Sequence, residues 1–299
     1  MAAEEKDESG TLDEIQSGLL SQEQVSSYHK DGFITVDNVF PQSEVEKFRQ
    51  VVDEFVMKSR TVTEHSDVFD LEPDHCAEFP RVRRLFNPAR LHKVFDNAMR
   101  NPRLLDIVAQ LIGPNIHTNG NKLNLKSPGF GSPVEWHQDW AFYPHTNDDL
   151  LAVGVAVDDM TLENGPLLVI PGSHKGKLYS HHQDGMFVGA ISEEFEKKQA
   201  VPLTLKAGSI SLHHTRLLHA SSANRSANSR RFLLFQYCAG DAFPLYPPLS
   251  WETFARNQLR GKENNTPRLT NVPVRLPVPK HEGKQGIYEL QTMLAKNTV

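Results

Sequence analysis

The chain has 299 residues, 38% of them apolar and 23% charged, with 32 Lys and Arg against 37 Asp and Glu and a formal net charge of −5. That length fits one enlarged β-rich domain with terminal extensions as well as two small domains, and the apolar content allows a sizeable core. Mild acidity without a block of like charge excludes the basic footprint of a nucleic-acid or anionic-membrane binder.

Two cysteines, Cys76 and Cys238, cannot build a disulfide framework and lack the paired spacing of a zinc module. Reduced thiols in a cytoplasmic protein are the expectation. The acidic start has no signal-peptide pattern, and the end is not Ser-Lys-Leu. The longest apolar run, residues 150–157, is far short of the roughly 20 that a membrane helix needs.

Residues 1–18 are small, polar and acidic and read as a flexible tail. Ser21 followed by Gln24 is a capping box, which starts a helix to about Lys30, closed by Gly32. Residues 33–36 are aromatic and β-branched, a strand signal. Pro41 opens a helix with Val45, Phe48, Val51, Val52, Phe55 and Val56 on one face. Residues 60–90 mix charges and prolines and read as a long loop. Asn101-Pro102 caps a helix that Gly113-Pro114 stops. From Ile116 the texture is all-β, with short runs at 116–126, 150–157, 166–171, 201–205, 209–213 and 231–237. Beyond about 240 the chain is proline-rich and should wrap the domain before a last helix near 285–295.

The plan is mainly β with supporting helices. A single domain, 19–299, comprises a helical support region (19–115), a β core (116–240) and a C-terminal wrap (241–299), packed as a sandwich or jelly roll.

Fourteen histidines invite a search for metal ligands. On a strand, residues i and i+2 share a face, so His-x-Asp can grip one ion; with a distant His it makes a 2-His-1-carboxylate triad, which leaves positions open on Fe(II). The pattern occurs at His29/Asp31, His65/Asp67, His137/Asp139 and His182/Asp184. The first pair ends a helix, where its side chains diverge, and the second and fourth lie in polar loops. His137/Asp139 follows a strand-like run and is flanked by Trp136 and Trp140. Downstream histidines that could complete a triad are His213, His214 and His219. The run from Gly172 to Lys177 is one residue short of a P-loop.

After His137/Asp139 come Glu163-Asn164-Gly165-Pro166, Pro171-Gly172-Ser173-His174, Leu218-His219, Asn224 and Arg230-Arg231. Over residues 20–240 this order resembles the phytanoyl-CoA dioxygenase family of Fe(II)/2-oxoglutarate oxygenases. The resemblance implies a double-stranded β-helix, the cupin-like jelly roll, with His137, Asp139 and His219 as catalytic iron ligands. His219 is preferred because Ala220, Ser221 and Asn224 follow it as in the family. It also places the arginine for the cosubstrate's far carboxylate eleven residues after the distal His, at Arg230. Ser221, Lys126 and Asn124 fall at further cosubstrate positions, and the cosubstrates are 2-oxoglutarate and O2. Asp139 argues against a halogenase. The expected activity is hydroxylation of a small molecule, with succinate and CO2 formed. A non-catalytic β-helix binding protein and a zinc hydrolase are the alternatives. Trp140, Phe142, Tyr143 and Phe187 are candidates for the substrate pocket or for ordinary core.

Overall fold

The computed structural model describes residues 20–129, 131–247 and 249–276, together with Tyr288 and Gln291. The 1–18 tail and most of the expected 285–295 helix lie outside the described residues, though Tyr288 and Gln291 are helical.

Helix α1 (Gln22–Asp31) starts at the expected capping box. Gln24 N–H donates to Ser21 Oγ at 3.2 Å, and Ser21 N–H donates to the Gln24 side chain at 2.9 Å. It ends at Gly32, whose φ of 83° suits a residue without Cβ. Strand β1 (Phe33–Val36) leads to α2 (Gln42–Lys58), which buries Val45, Phe48, Val51, Val52 and Phe55. The segment 60–90, expected as a loop, instead contains strands β2 (Phe69–Leu71) and β3 (Val82–Phe86) and begins α3 (Pro88–Leu91). The fold buries the charges that hid this hairpin, since Arg83 pairs with Asp70 at 3.2 Å. Helix α4 (Lys93–Met99) and the Asn101-capped α5 (Pro102–Ile112) complete the support region.

The β region runs through β4 (Ile116–Lys126), β5 (Val134–His137), β6 (Leu150–Ala156), β7 (Leu167–Val169), β8 (His182–Gln183), β9 (Met186–Phe187) and β10 (Val201–Leu203). It continues with β11 (Ile210–His214), β12 (His219–Ser221) and β13 (Arg230–Ala239), then α6 (Trp251–Arg256) and β14 (Gln258–Arg260). The larger sheet has the order β1-β11-β6-β13-β4-β3-β2 with β14 also on β4, and the smaller is β10-β7-β12-β5. All pairings are antiparallel.

Alternation along β13 shows how the layers form, since successive side chains leave opposite faces. Phe232 and Leu234 join Leu167, Val169 and Leu203 between the two sheets. Leu233, Phe235 and Tyr237 join Phe48, Phe95, Leu104 and Ile107 between the larger sheet and the helices. With both faces covered, β13 reads as a nearly continuous apolar run. The result is mainly β, a cupin-like double-stranded β-helix backed by helices on one side. Between its sheets lies a cavity of about 40 Å³.

Candidate functional site

His137 ends β5 and His219 begins β12, and the two are direct partners across that ladder, which brings their rings to a centroid distance of 4.0 Å, tilted by 51°. Asp139 is not on the strand as expected but opens a 3-10 turn, Asp139–Ala141. Gln138 between them is still extended (φ −119°, ψ 123°), so the carboxylate returns to the face of His137. One donor atom from each of His137, Asp139 and His219 lies within 4.8 Å of the others, and all three residues are buried. Asp139 Oδ1 is 3.7 Å from His137 Nε2 and 3.9 Å from His219 Nε2, too long for hydrogen bonds.

The backbone fixes what each imidazole presents. His137 Nδ1 lies 2.7 Å from the Glu135 carbonyl and His219 Nδ1 2.9 Å from that of Leu217. A carbonyl only accepts, so Nδ1 holds the proton and Nε2 keeps its lone pair for the interior. Burial first, and for His137 also the neighbouring His219, lowers both imidazole pKa values, so the rings are neutral near pH 7. Burial pushes the Asp139 carboxyl up, but Lys122 and then the histidines outweigh it and hold the carboxyl well below the usual range. Two neutral imidazoles and one carboxylate, converging from three chain segments, are a donor set that suits Fe(II).

Gln138 pegs the turn from behind. Its backbone N–H donates to His181 Nε2 at 2.9 Å, and its amide donates to the carbonyls of Lys177 and Arg216 and accepts from Tyr179 N–H. The His29/Asp31, His65/Asp67 and His182/Asp184 pairs are not part of this cluster. His213 lies near it, with Nε2 3.9 Å from Asp139 Oδ2, and His214 faces Asp148 instead.

At one end of the cavity, β13 turns Arg230 inward and Arg231 outward. Arg230 Nε and Nη2 donate to Gly165 O at 3.1 and 2.8 Å, while buried Nη1 has no partner among the described residues. Gly165 has φ +88°, and a Cβ there would sit 2.6 Å from Ser222 O, so glycine is required where this carbonyl meets the guanidinium. Arg231 pairs with Asp158 and Asp53. Ser221 lines the cavity beside Arg230. Lys126 is 1% exposed and stands behind that hydroxyl, donating to Ser221 Oγ at 2.9 Å and to Ser222 O, so it is neither at the surface nor among the residues around the cavity. Asn124 does line it, and its Oδ1 accepts from Arg84 Nε at 3.1 Å, which leaves its NH2 free to donate.

Arg84 and Lys122, which the sequence reading does not single out, complete the polar lining together with His213, a rival there for the third ligand position. Lys122 could have been singled out, because it shares the alternate face of β4 with Asn124 and Lys126. Arg84 lies in β3, within the segment whose charges and prolines suggest a loop. None of Trp140, Phe142, Tyr143 and Phe187 is among the residues that line this cavity. Trp140 is core and donates to Pro273 O at 2.7 Å, Tyr143 accepts from Gln236 Nε2, and Phe142 meets Phe187 edge-on.

Residues 28–232 match the family model described as phytanoyl-CoA dioxygenase (PhyH). A probable alpha-ketoglutarate-dependent hypophosphite dioxygenase of Stutzerimonas stutzeri is 34% identical over 281 residues, covering 92% of this chain and 98% of that protein. An L-proline trans-4-hydroxylase of Streptomyces griseoviridis is 28% identical, covering 74% and 87%. In fold, the chain is similar to EctD from S. alaskensis with 2-oxoglutarate and 5-hydroxyectoine, with a TM-score of 0.64, 22% identity, and 85% and 87% of the two chains covered.

Proposed function

Since the chain belongs to the phytanoyl-CoA dioxygenase family and is an Fe(II)/2-oxoglutarate-dependent dioxygenase, we propose that it hydroxylates a small molecule in the cavity ringed by His137, Asp139 and His219. When bound, iron and 2-oxoglutarate supply oxygen activation: one oxygen atom of O2 enters succinate as CO2 leaves, and the other replaces a hydrogen of the substrate by hydroxyl.

The protein's part is to hold and orient. His137 Nε2, His219 Nε2 and the Asp139 carboxylate hold the metal. Arg230, which lines the cavity and has its buried Nη1 unpartnered among the described residues, takes the far carboxylate of 2-oxoglutarate. Arginine suits this task through its planar, bidentate fork. Lys126 donates to Ser221 Oγ, so the Ser221 hydroxyl can turn its own proton to the same carboxylate. Arg84 orients the Asn124 amide so that it donates to the cosubstrate.

The observation that supports this reading best is the coincidence, on one cavity, of the three-ligand cluster and an inward arginine with an unmet N–H. A zinc hydrolase would use the ligands but has no use for Arg230. The test is succinate release that depends on both Fe(II) and 2-oxoglutarate; iron binding without it would favour the non-catalytic binding protein. In this reading residues 19–299 act as one oxygenase domain. We place it in the cytoplasm, supported by two free thiols and by the absence, among the described residues, of a helix long and apolar enough to cross a membrane.

A further inference from the structure

Two polar side chains on the same cavity are neither metal ligands nor cosubstrate contacts in that reading, although both lie within electrostatic reach of Asp139. Lys122, half-buried, makes no hydrogen bond or ion pair among the described residues. His213 is 1% exposed, and neither of its ring nitrogens has a hydrogen-bond partner among the described residues. Buried polar groups are normally satisfied, so the bare imidazole of His213, with a half-buried ammonium that has no hydrogen-bond acceptor on the same cavity, points to a missing ligand.

The charge balance says which kind. Of the fixed charges lining the cavity, Asp139 is negative and Arg84, Lys122 and Arg230 are positive. A ferrous ion and doubly negative 2-oxoglutarate cancel, so loading the site leaves that surplus of two positive charges. A neutral or cationic substrate would seal the surplus away from water at high cost, whereas an anion relieves it.

Position separates this pair from the cosubstrate. Lys126 is the ladder partner of Arg230, and Lys122, the partner of Leu234, stands four residues back along β4. That is about 13 Å of strand, so Lys122 serves the opposite end of the cavity. An ammonium and an imidazole N–H together offer donors to two oxygens of one anion.

We propose that Lys122 and His213 bind the substrate, and that the substrate is a small oxyanion, its charged oxygens on phosphorus or carbon. This rests on the dioxygenase reading and adds no chemical step to it.

The test is anaerobic titration of the Fe(II) protein with 2-oxoglutarate bound, following the charge-transfer band expected of a chelated keto acid. Probes are methylphosphonate, hypophosphite and acetate, with neutral acetamide and cationic methylammonium as controls. An anion should perturb the band saturably and the controls should not, and the order of the anions tells phosphorus from carbon. Lys122→Met should weaken the anion by about 10- to 100-fold, leave 2-oxoglutarate affinity unchanged, and be partly rescued by Lys122→Arg. His213→Gln should weaken the anion as well. The proposal is overturned if no anion saturates, if a control binds as well as any anion, or if Lys122→Met moves 2-oxoglutarate affinity instead. A protein that gives no band before any probe is added overturns the dioxygenase reading itself, and that result is visible at the first step.

Discussion

At His137 and His219 one local device decides what the ring can do: Nδ1 donates to the carbonyl two residues back, and Nε2 is left for a metal. His219→Ala should therefore lower iron affinity by more than the roughly 100-fold that loss of a supporting residue costs. His182→Ala should leave it unchanged, since His182 stands outside the cluster. Metal content after dialysis checks this, and loss of iron from His213→Ala but not from His219→Ala would show the third ligand misassigned. Arg230 and Arg231 were separable in the sequence, because on a strand adjacent residues face opposite ways. Arg230→Ala should cost about 2–5 kcal/mol of 2-oxoglutarate binding, or roughly 30- to 5000-fold, with iron affinity nearly unchanged. Arg231→Ala should leave 2-oxoglutarate binding alone but lower the melting temperature, because it takes two guanidinium donors from the half-buried Asp158 carboxylate, which keeps only Arg49 and the backbone N–H of residue 231. Titration of 2-oxoglutarate into both variants decides the register. Lys126 was less legible: the Ser221-Ser222 segment that buries it arrives from 95 residues away.

Elements announced by local chemistry were readable. The capping box of α1, the Asn101 cap of α5 and the one-sided apolar stripe of α2 each act within a few residues. The β2-β3 hairpin was not, because Arg83 and Arg84 within Val82–Phe86 broke the alternation that marks a half-buried strand. Their acceptors, Asp70 and the Asn124 amide, come from other strands. Strand β12, three residues long, is defined by its partners β5 and β7 rather than by its own sequence. Packing between elements also sets Gly154 of β6, where an added Cβ would lie 2.0 Å from the Phe232 ring. Phe232 lines the cavity, so it cannot withdraw without filling that space. Gly154→Ala should destabilise the fold by about 1–3 kcal/mol through overpacking. Urea unfolding measures it; an unchanged midpoint would mean the two sheets separate more easily than their packing implies.

At the scale of the whole molecule, strand order was beyond the sequence: β1 closes on β11, pairing Phe33 with His213, and no local pattern encodes that. Thiol labelling of unfolded, unreduced protein should count two cysteines, and a count of zero would contradict the cytoplasmic placement. The same closure buries imidazoles that are not among the three metal-binding residues. Burial holds His145 and His181 down to about 4, and His214, along with His213 in the cavity, down to about 3. In the unfolded chain each titrates near 6.5. Below that value the unfolded state takes up protons that the native state refuses, so stability is full above pH 6.5 and falls as pH drops toward 4. Each such histidine removes about 1.4 kcal/mol per pH unit inside the window, and four together remove on the order of 8 kcal/mol at pH 5. That is comparable to the roughly 5–15 kcal/mol of total stability, so the metal-free protein should lose a large part of its stability as pH falls from about 6.5 toward 5. His181 shows why the native state resists protonation: Nδ1 faces the Tyr179 carbonyl, and Nε2 accepts the Gln138 N–H that seats the metal-binding turn. A proton on Nε2 would set donor against donor. His181→Gln removes one titration and should flatten the slope of stability against pH by about 1.4 kcal/mol per unit. Urea denaturation at pH 7.5 and 5.5 measures both proteins, and equal wild-type stability at the two values would mean that these rings are protonated in the folded state.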